Sequence, residues 1–158
     1  MPLLKILTQP NPILRKKSAE INLEIVKNRE FKNLISSMAK TMIKTDGVGL
    51  AAPQIGKNIR LAVINSRDGV FCLINPKFTK KSWAREFGQE GCLSIPGIFG
   101  MVKRHKKVSL TYYNQDGKKI KLTAEGMMAR VIQHEVDHLD GILFIDKASA
   151  VEKVQNDK

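Results

Sequence analysis

Residues 127–139, MMARVIQHEVDHL, contain neither Gly nor Pro and are apolar on more than one side. Such a run predicts a helix that is buried inside a domain, because a surface helix keeps one polar face. The helix nevertheless carries two histidines and several charged groups. Polar side chains are costly to bury without partners, so their presence indicates a chemical purpose for this helix.

The same helix contains the pattern H-E-x-x-H as His134, Glu135 and His138. Residues four apart lie on one helix face, so both imidazoles can bind one metal ion while Glu135 acts as general base on a metal-bound water. The alternative is a pair of core histidines near a helix end. A catalytic metal site usually has three protein ligands and one open position, so a third ligand is needed.

Downstream residues offer a third ligand only in a thermolysin-like arrangement. Phe144 stands where a metzincin would have its third histidine, which excludes that family. The downstream acids that remain are Asp146, Glu152 and Asp157.

Upstream candidates are Cys72, Cys92 and His105. Cys72 is most simply a small buried residue of a strand, and His105 lies in a basic stretch that would repel a cation. Cys92 is favoured because residues 90–94, EGCLS, form a short irregular segment from which a thiolate can project. A Cys-His-His site suits iron, nickel, cobalt or zinc, and its metal stays open.

Composition predicts a single cytoplasmic domain. The chain has 158 residues, 42% of them hydrophobic, and 27 Lys and Arg against 15 Asp and Glu give a net charge of +12. A core of this size needs no disulfide scaffold, no stretch approaches the roughly 18 apolar residues of a membrane span, and we expect no secretory signal. The lysines are spread along the chain, so the charge fits a solvated basic surface or a contact with a polyanion such as ribosomal RNA.

Hydrophobic periodicity predicts an α+β fold with antiparallel or mixed β-sheets packed around the buried C-terminal helix. A long N-terminal helix is expected over residues 23–44, after an irregular segment over 6–17. Two pairs of strands are expected over 59–65 with 70–75 and over 108–113 with 119–123, since Asp-Gly pairs between them suit tight turns.

Three segments together resemble the peptide deformylase family, whose members remove the N-formyl group from the initiator methionine of new bacterial and organellar proteins. They are GVGLAAPQ at 47–54, EGCLS at 90–94 and QHEVDHL at 133–139, in the family's order. The resemblance spans residues 3–146. It implies a single catalytic domain over 1–146, and residues 147–158 are expected to be a short tail with two helical turns at most.

The resemblance implies a role for each matching residue. Metal ligands are Cys92, His134 and His138; Glu135 is the general acid/base for attack of metal-bound water on the formyl carbon; Gln54 and the amide of Leu93 bind the oxyanion. The backbone around Val48, Gly49 and Gly91 binds the extended substrate, and Val48, Met127, Val131 and the His134 ring form the methionine pocket. Arg130 is expected at the pocket rim with its charge in solvent. Glu90 and Arg104 are expected to be structural partners near the metal.

The implied cofactor is one divalent ion, ferrous iron first, with zinc, nickel and cobalt as alternatives. The implied substrates are N-formylmethionyl nascent polypeptides, and the protein is expected to be a monomer without membrane contact. Ribosome contact would rest on the basic surface. Phe99 and Met101 depart from the arginine and acid of many family members, which affects preferences beyond the first substrate residue.

Two other classes of function remain as alternatives. A metalloprotease would cleave internal peptide bonds, would tolerate Cys92→Ser and would use a downstream third ligand. A structural metal site in a basic RNA-binding domain would fill all four coordination positions with protein and would not need Glu135.

Overall fold

The computed structural model describes residues 2–154. Within this range the α-helices are α1 (Arg29–Lys44) and α2 (Gly126–Leu139). The strands are β1 (Gly49–Ala51), β2 (Leu61–Ser66), β3 (Gly69–Lys81), β4 (Arg85–Cys92), β5 (Ile95–His105), β6 (Lys107–Tyr113), β7 (Lys119–Glu125) and β8 (Ala148–Lys153). Short 3-10 turns lie at Pro12–Arg15, Leu23–Ile25, Ala52–Ile55 and Phe144–Asp146.

The strands form two antiparallel sheets. The larger sheet has the order β1-β2-β3-β6-β7 and the smaller has the order β4-β5-β8. Both predicted strand pairs are present as the β2–β3 and β6–β7 hairpins, although β3 continues to Lys81. The predicted α+β class is confirmed.

The larger sheet is covered by a helix on each face. Successive residues of a strand point to opposite faces, and β2 shows both environments. Val63 packs in a core with Met38 and Met42 of α1, whereas Ile64 packs in a second core with Ile132 of α2. Because α2 also packs against β5 of the smaller sheet, this helix lies between the two sheets as predicted.

Two local predictions were wrong. The first helix begins at Arg29 instead of residue 23, because residues 23–25 form a separate 3-10 turn in which the Asn22 side chain accepts from the Glu24 amide at 3.0 Å. Asn28 then has the extended backbone of a helix N-cap. In the described part of the tail, Ala148–Lys153 is a strand that pairs with β5 and not a helix. Pairing with the edge of β5 stabilises this segment, whereas an isolated helix of two turns is marginal in water.

Among residues 2–154, no helix is long and apolar enough to cross a membrane.

Candidate metal centre and active site

The predicted metal ligands lie together where the end of β4 meets α2. The ligand atoms of Cys92, His134 and His138 all lie within 4.8 Å of one another, and Cys92 Sγ is 3.3 Å from His138 Nε2. Cys92 is the last residue of strand β4, so the prediction of an irregular segment at 90–94 was wrong for its first half. The chain turns only at Leu93 and Ser94, which projects the thiol toward the helix.

The donor set of this cluster fits a divalent metal ion. His134 Nδ1 donates to Glu90 Oε1 at 2.8 Å, which leaves Nε2 as the ring nitrogen that can bind a metal. His138 is 1% exposed, and its burial lowers its pKa well below the ordinary value, which favours the neutral ring that a metal ligand needs. At His134, burial is outweighed by hydrogen bonds with Cys92 and Glu90, which raise its pKa to about 10, so metal binding there must release a proton. One sulfur and two imidazole nitrogens suit zinc, iron, nickel or cobalt and leave a fourth position open.

Glu135 lies on the same helical turn and carries a buried carboxyl group. Its side chain is buried, and within the described residues its Oε2 has no hydrogen-bond partner. Burial raises the pKa of Glu135 to about 7. Gly49 of β1 packs directly on this side chain, since a Cβ at Gly49 would lie 2.6 Å from Glu135 Oε1. A side chain at position 49 would therefore clash with Glu135, so this position requires glycine.

Gln54 is held with its amide nitrogen toward the cluster. The side chain is 2% exposed, and its Oε1 accepts from the Ala51 amide at 2.9 Å. Its Nε2 donates to Ser94 Oγ at 3.1 Å and lies 3.5 Å from Cys92 Sγ. Ser94 was missed by the sequence reasoning, although it lies in the quoted segment EGCLS beside Leu93.

Glu90 supports His134 from a buried network of charges. Its Oε1 accepts from His134 Nδ1 and from Arg104 Nη2, and its Oε2 accepts from Arg104 Nε and Arg130 Nη1. Burial opposes the charge of Glu90, but the hydrogen bonds from His134 and Arg104 outweigh it and lower the pKa far below the ordinary value. Arg104 also pairs with Asp137 of α2, a partner that the sequence reasoning did not identify.

The prediction that Arg130 carries its charge into solvent was wrong. Arg130 is 7% exposed, and its guanidinium binds Glu90 at 2.7 Å and the carbonyl oxygens of Val102 and Glu86 at 2.8 and 2.9 Å. Helical spacing puts Arg130 on the face of His134, as predicted, but that face meets Glu90, whose charge attracts the guanidinium. Gly88 leaves room for it, because a Cβ there would lie 2.6 Å from Arg130 Cζ.

An open cavity of about 550 Å³ leads from the surface to Cys92, His134 and Glu135. Phe99 packs over Gly91 at its edge, where a Cβ on the glycine would lie 2.7 Å from the ring. Met127 is 70% exposed, so it is not a core residue. The other predicted substrate residues and oxyanion donors that line the cavity are Val48, Gly49, Gln54, Leu93, Arg130 and Val131.

The alternative ligands lie elsewhere. Cys72 is buried in β3, and His105 Nδ1 is bonded to the Ser82 carbonyl at 2.6 Å. Asp146 pairs with Arg15, Glu152 belongs to β8, and Asp157 lies outside the described residues. Over residues 2–154, the one cluster with metal-ligand geometry is Cys92, His134 and His138.

Comparison with known proteins gives the family. A family model described as polypeptide deformylase matches residues 3–154. A peptide deformylase of Syntrophomonas wolfei is 44% identical over 148 residues, covering 94% of this chain and 95% of the relative. The crystal structure of peptide deformylase from Thermotoga maritima has a TM-score of 0.89 at 37% identity, covering 94% of this chain and 99% of that one. The Met-Ala-Ser bound class I type b enzyme of Acinetobacter baumannii has a TM-score of 0.89 at 31% identity, covering 93% and 100%. The chain therefore belongs to the polypeptide deformylase family and is an enzyme of it.

Proposed function

We propose that this enzyme hydrolyses the formyl amide of N-formylmethionyl peptides and releases formate. The observation that carries the proposal is the grouping of Glu135 and Gln54 around the Cys92-His134-His138 cluster at one cavity. The metal-ligand set, a partly unpartnered carboxylate and an oriented amide donor together are what hydrolysis of an amide requires.

The proposed cofactor is one divalent ion held by Cys92, His134 and His138, with ferrous iron first and zinc, nickel or cobalt as alternatives. When bound, such an ion is a Lewis acid that favours ionisation of water and polarises a carbonyl oxygen. A thiolate ligand and ferrous iron both oxidise, so the iron form is expected to lose activity in air.

The chain's own residues move the proton and hold the developing charge. Glu135 takes a proton from the attacking water and returns it to the departing amine, for which a pKa raised to about 7 is well matched. Gln54 Nε2 and the Leu93 amide donate to the oxygen of the attacked carbonyl. Because Ser94 and the Ala51 amide already fix the Gln54 side chain, this donor needs no reorientation during the reaction.

The cavity fits a peptide that begins with methionine. Val48, Met127 and Val131 provide apolar walls for its side chain, and Gly91 brings β4 backbone to the cavity for pairing with an extended peptide. A relative binds Met-Ala-Ser, a peptide with this first residue. Gly49 and Glu135 close the space beyond the reacting carbon, which favours the small formyl group over a longer acyl chain.

The proposal also includes where the enzyme acts and what it contacts. The substrates are nascent polypeptides in the cytoplasm, and the protein acts as a monomer whose basic surface contacts the ribosome. Cosedimentation with ribosomes that is no stronger than that of an unrelated protein of equal charge would contradict the ribosome contact.

Substrate comparison tests the proposed reaction. Protein purified without oxygen and loaded with ferrous iron is expected to release formate from formyl-Met-Ala-Ser, to act far more slowly on acetyl-Met-Ala-Ser and to leave internal peptide bonds intact. Cleavage of internal bonds, retained after Cys92→Ser, would instead support the metalloprotease alternative. A loaded protein that releases no formate would contradict the proposal.

Gln54→Ala is expected to lower turnover by about 10² to 10³, the usual effect of losing one oxyanion donor, while the protein keeps its metal. The reason is that the substituted side chain supplies no N–H at the cavity. Formate release and metal content are measured together, with Gln115→Ala in an exposed turn as the matched control. An unchanged rate would remove Gln54 from this role.

A further inference from the structure

The single tryptophan of the chain lies exposed on a loop that is hydrogen-bonded to a neighbouring segment. Trp83 is 98% exposed between β3 and β4. The loop is fixed to the start of β6, because the Ser82 amide donates to the Lys107 carbonyl at 2.8 Å and the Lys106 amide donates to the Ala84 carbonyl at 3.0 Å. Tryptophan is normally among the more buried residues. An exposed indole on an anchored backbone is available to stack on a ligand.

A row of cationic and aromatic side chains lies beside this indole. The β4–β5 register places Arg85 opposite His105 and Phe87 opposite Lys103. Directly opposed residues share a sheet face, so these four side chains lie on one face of the hairpin. They are on the outer face, since the alternate position Arg104 is buried. Parts of this face, together with Lys81 and Trp83, line an open cleft of about 730 Å³.

The positive charge of this cleft is not balanced by acids. Among residues 2–154, none of Lys81, Arg85 and Lys103 forms an ion pair with a carboxylate. The neighbouring acid Glu86 is opposite Arg104 and so belongs to the other face of β4. The cleft is therefore suited to an anionic ligand.

We propose that this cleft binds a single strand of RNA, with phosphates on Lys81, Arg85 and Lys103 and one base stacked on Trp83. Recognition of a single strand combines two elements, which are cations along a groove and an exposed aromatic ring for stacking. A free phosphate would make no use of the indole. The choice of RNA over DNA rests on the proposed function, because nascent chains are made on an RNA-rich particle.

An anionic membrane fits the surface less well. Membrane insertion needs several exposed apolar side chains, whereas the exposed rings of this face, Trp83 and Phe87, lie among cations. Lys81 Nζ lies 4.8 Å from the centre of the Phe78 ring, and Lys103 Nζ lies 5.7 Å from that of Phe87. Two exposed rings among cations suit stacking of nucleobases better than insertion into a bilayer.

The cleft is separate from the catalytic site. Strand β4 runs from Arg85 at the cleft to Cys92 at the metal cluster. At about 3.3 Å per residue, the two ends lie roughly 20 Å apart. Substitutions in the cleft are therefore expected to leave formate release from a short peptide unchanged, so failure of this proposal and failure of the proposed function are distinguishable.

Fluorescence of the single tryptophan tests the proposal directly. Addition of a ten-nucleotide oligouridylate to the metal-loaded full chain is expected to quench Trp83 in a saturable manner. Anisotropy of labelled RNA should show about tenfold weaker binding for Trp83→Ala, with most affinity kept in Trp83→Phe. Lys103→Ala should reduce the slope of log affinity against log salt by about 0.7, the value for one phosphate contact on a single strand.

Removing a lysine charge elsewhere in the protein distinguishes RNA binding at a specific site from general electrostatic attraction. Lys32 is an exposed lysine of α1, and Lys32→Ala is expected to have a smaller effect on RNA affinity than Lys103→Ala. Equal effects of the two lysine variants, together with no effect of Trp83→Ala, would overturn the proposal in favour of net charge alone. Binding to anionic phospholipid vesicles without RNA binding would overturn it in favour of a membrane contact. Tighter binding of oligothymidylate of the same length would overturn the choice of RNA.

Discussion

Replacing Glu135 by glutamine is expected to lower turnover of formyl-Met-Ala-Ser by about 10⁴-fold, the upper end of what one general acid/base contributes. The upper end applies because the neighbouring carboxylate cannot replace Glu135 as acid and base. The nearby carboxylate of Glu90 already accepts four hydrogen bonds from arginine and histidine side chains. Glutamine keeps the shape of the side chain, so the cavity and the packing on Gly49 are retained.

The same substitution is expected to leave the fold as stable as before or more stable. Burial disfavours the charged carboxylate of Glu135, and its Oε2 has no partner within the described residues. A neutral amide removes the buried charge. A residue whose removal costs activity and not stability is typical of a catalytic site that is strained for function.

Formate release, metal content and urea unfolding are measured on the same preparations of the Glu135 variant. Glu125→Gln is the matched control, since it makes the same chemical change at the exposed N-cap of the same helix. A Glu135 variant that binds metal and still releases formate within tenfold of the parent rate would contradict the assigned role. That result would favour the structural metal site instead.

The fold class follows from local signals in the sequence, and the exceptions have a physical cause. The hairpins around Asp68-Gly69 and Asp116-Gly117 are predictable because turn chemistry and strand alternation are both local. Strands β4 and β5 were not predicted. Although they form a local hairpin through Leu93 and Ser94, their segment is rich in glycine and charge and lacks the apolar alternation that marks a strand.

The residues of the candidate site were likewise predictable only in part. Helical spacing alone places His134 and His138 on one face with Glu135 beside them, and chemistry favours Cys92 as third ligand. The position of Arg130 could not be derived from spacing, because its environment is set by Glu90 on a strand forty residues earlier in the chain. Whether a charged side chain is buried depends on the partners that the fold places beside it.

Glu90→Gln is expected to lower the free energy of unfolding by about 3 to 5 kcal/mol, the cost of removing one partner from a buried ion pair. Glu90 and Asp137 balance Arg104 and Arg130 in this network. A neutral amide would leave one positive charge in excess and would bring N–H groups toward guanidinium donors. Urea unfolding of the metal-free protein measures this effect apart from any change in metal binding.

The same change is expected to weaken metal binding by about 10- to 100-fold, the usual effect of losing the partner that orients a ligating histidine. His134 Nδ1 would lose its carboxylate acceptor, so its free nitrogen would no longer be held toward Cys92 and His138. Competition for Zn²⁺ with a chromophoric chelator measures the affinity. Asp146→Asn is the control, because its pair with Arg15 is exposed and should contribute about 1 kcal/mol or less. A Glu90 variant no less stable than this control, with unchanged Zn²⁺ affinity, would show that His134 is positioned by the helix alone.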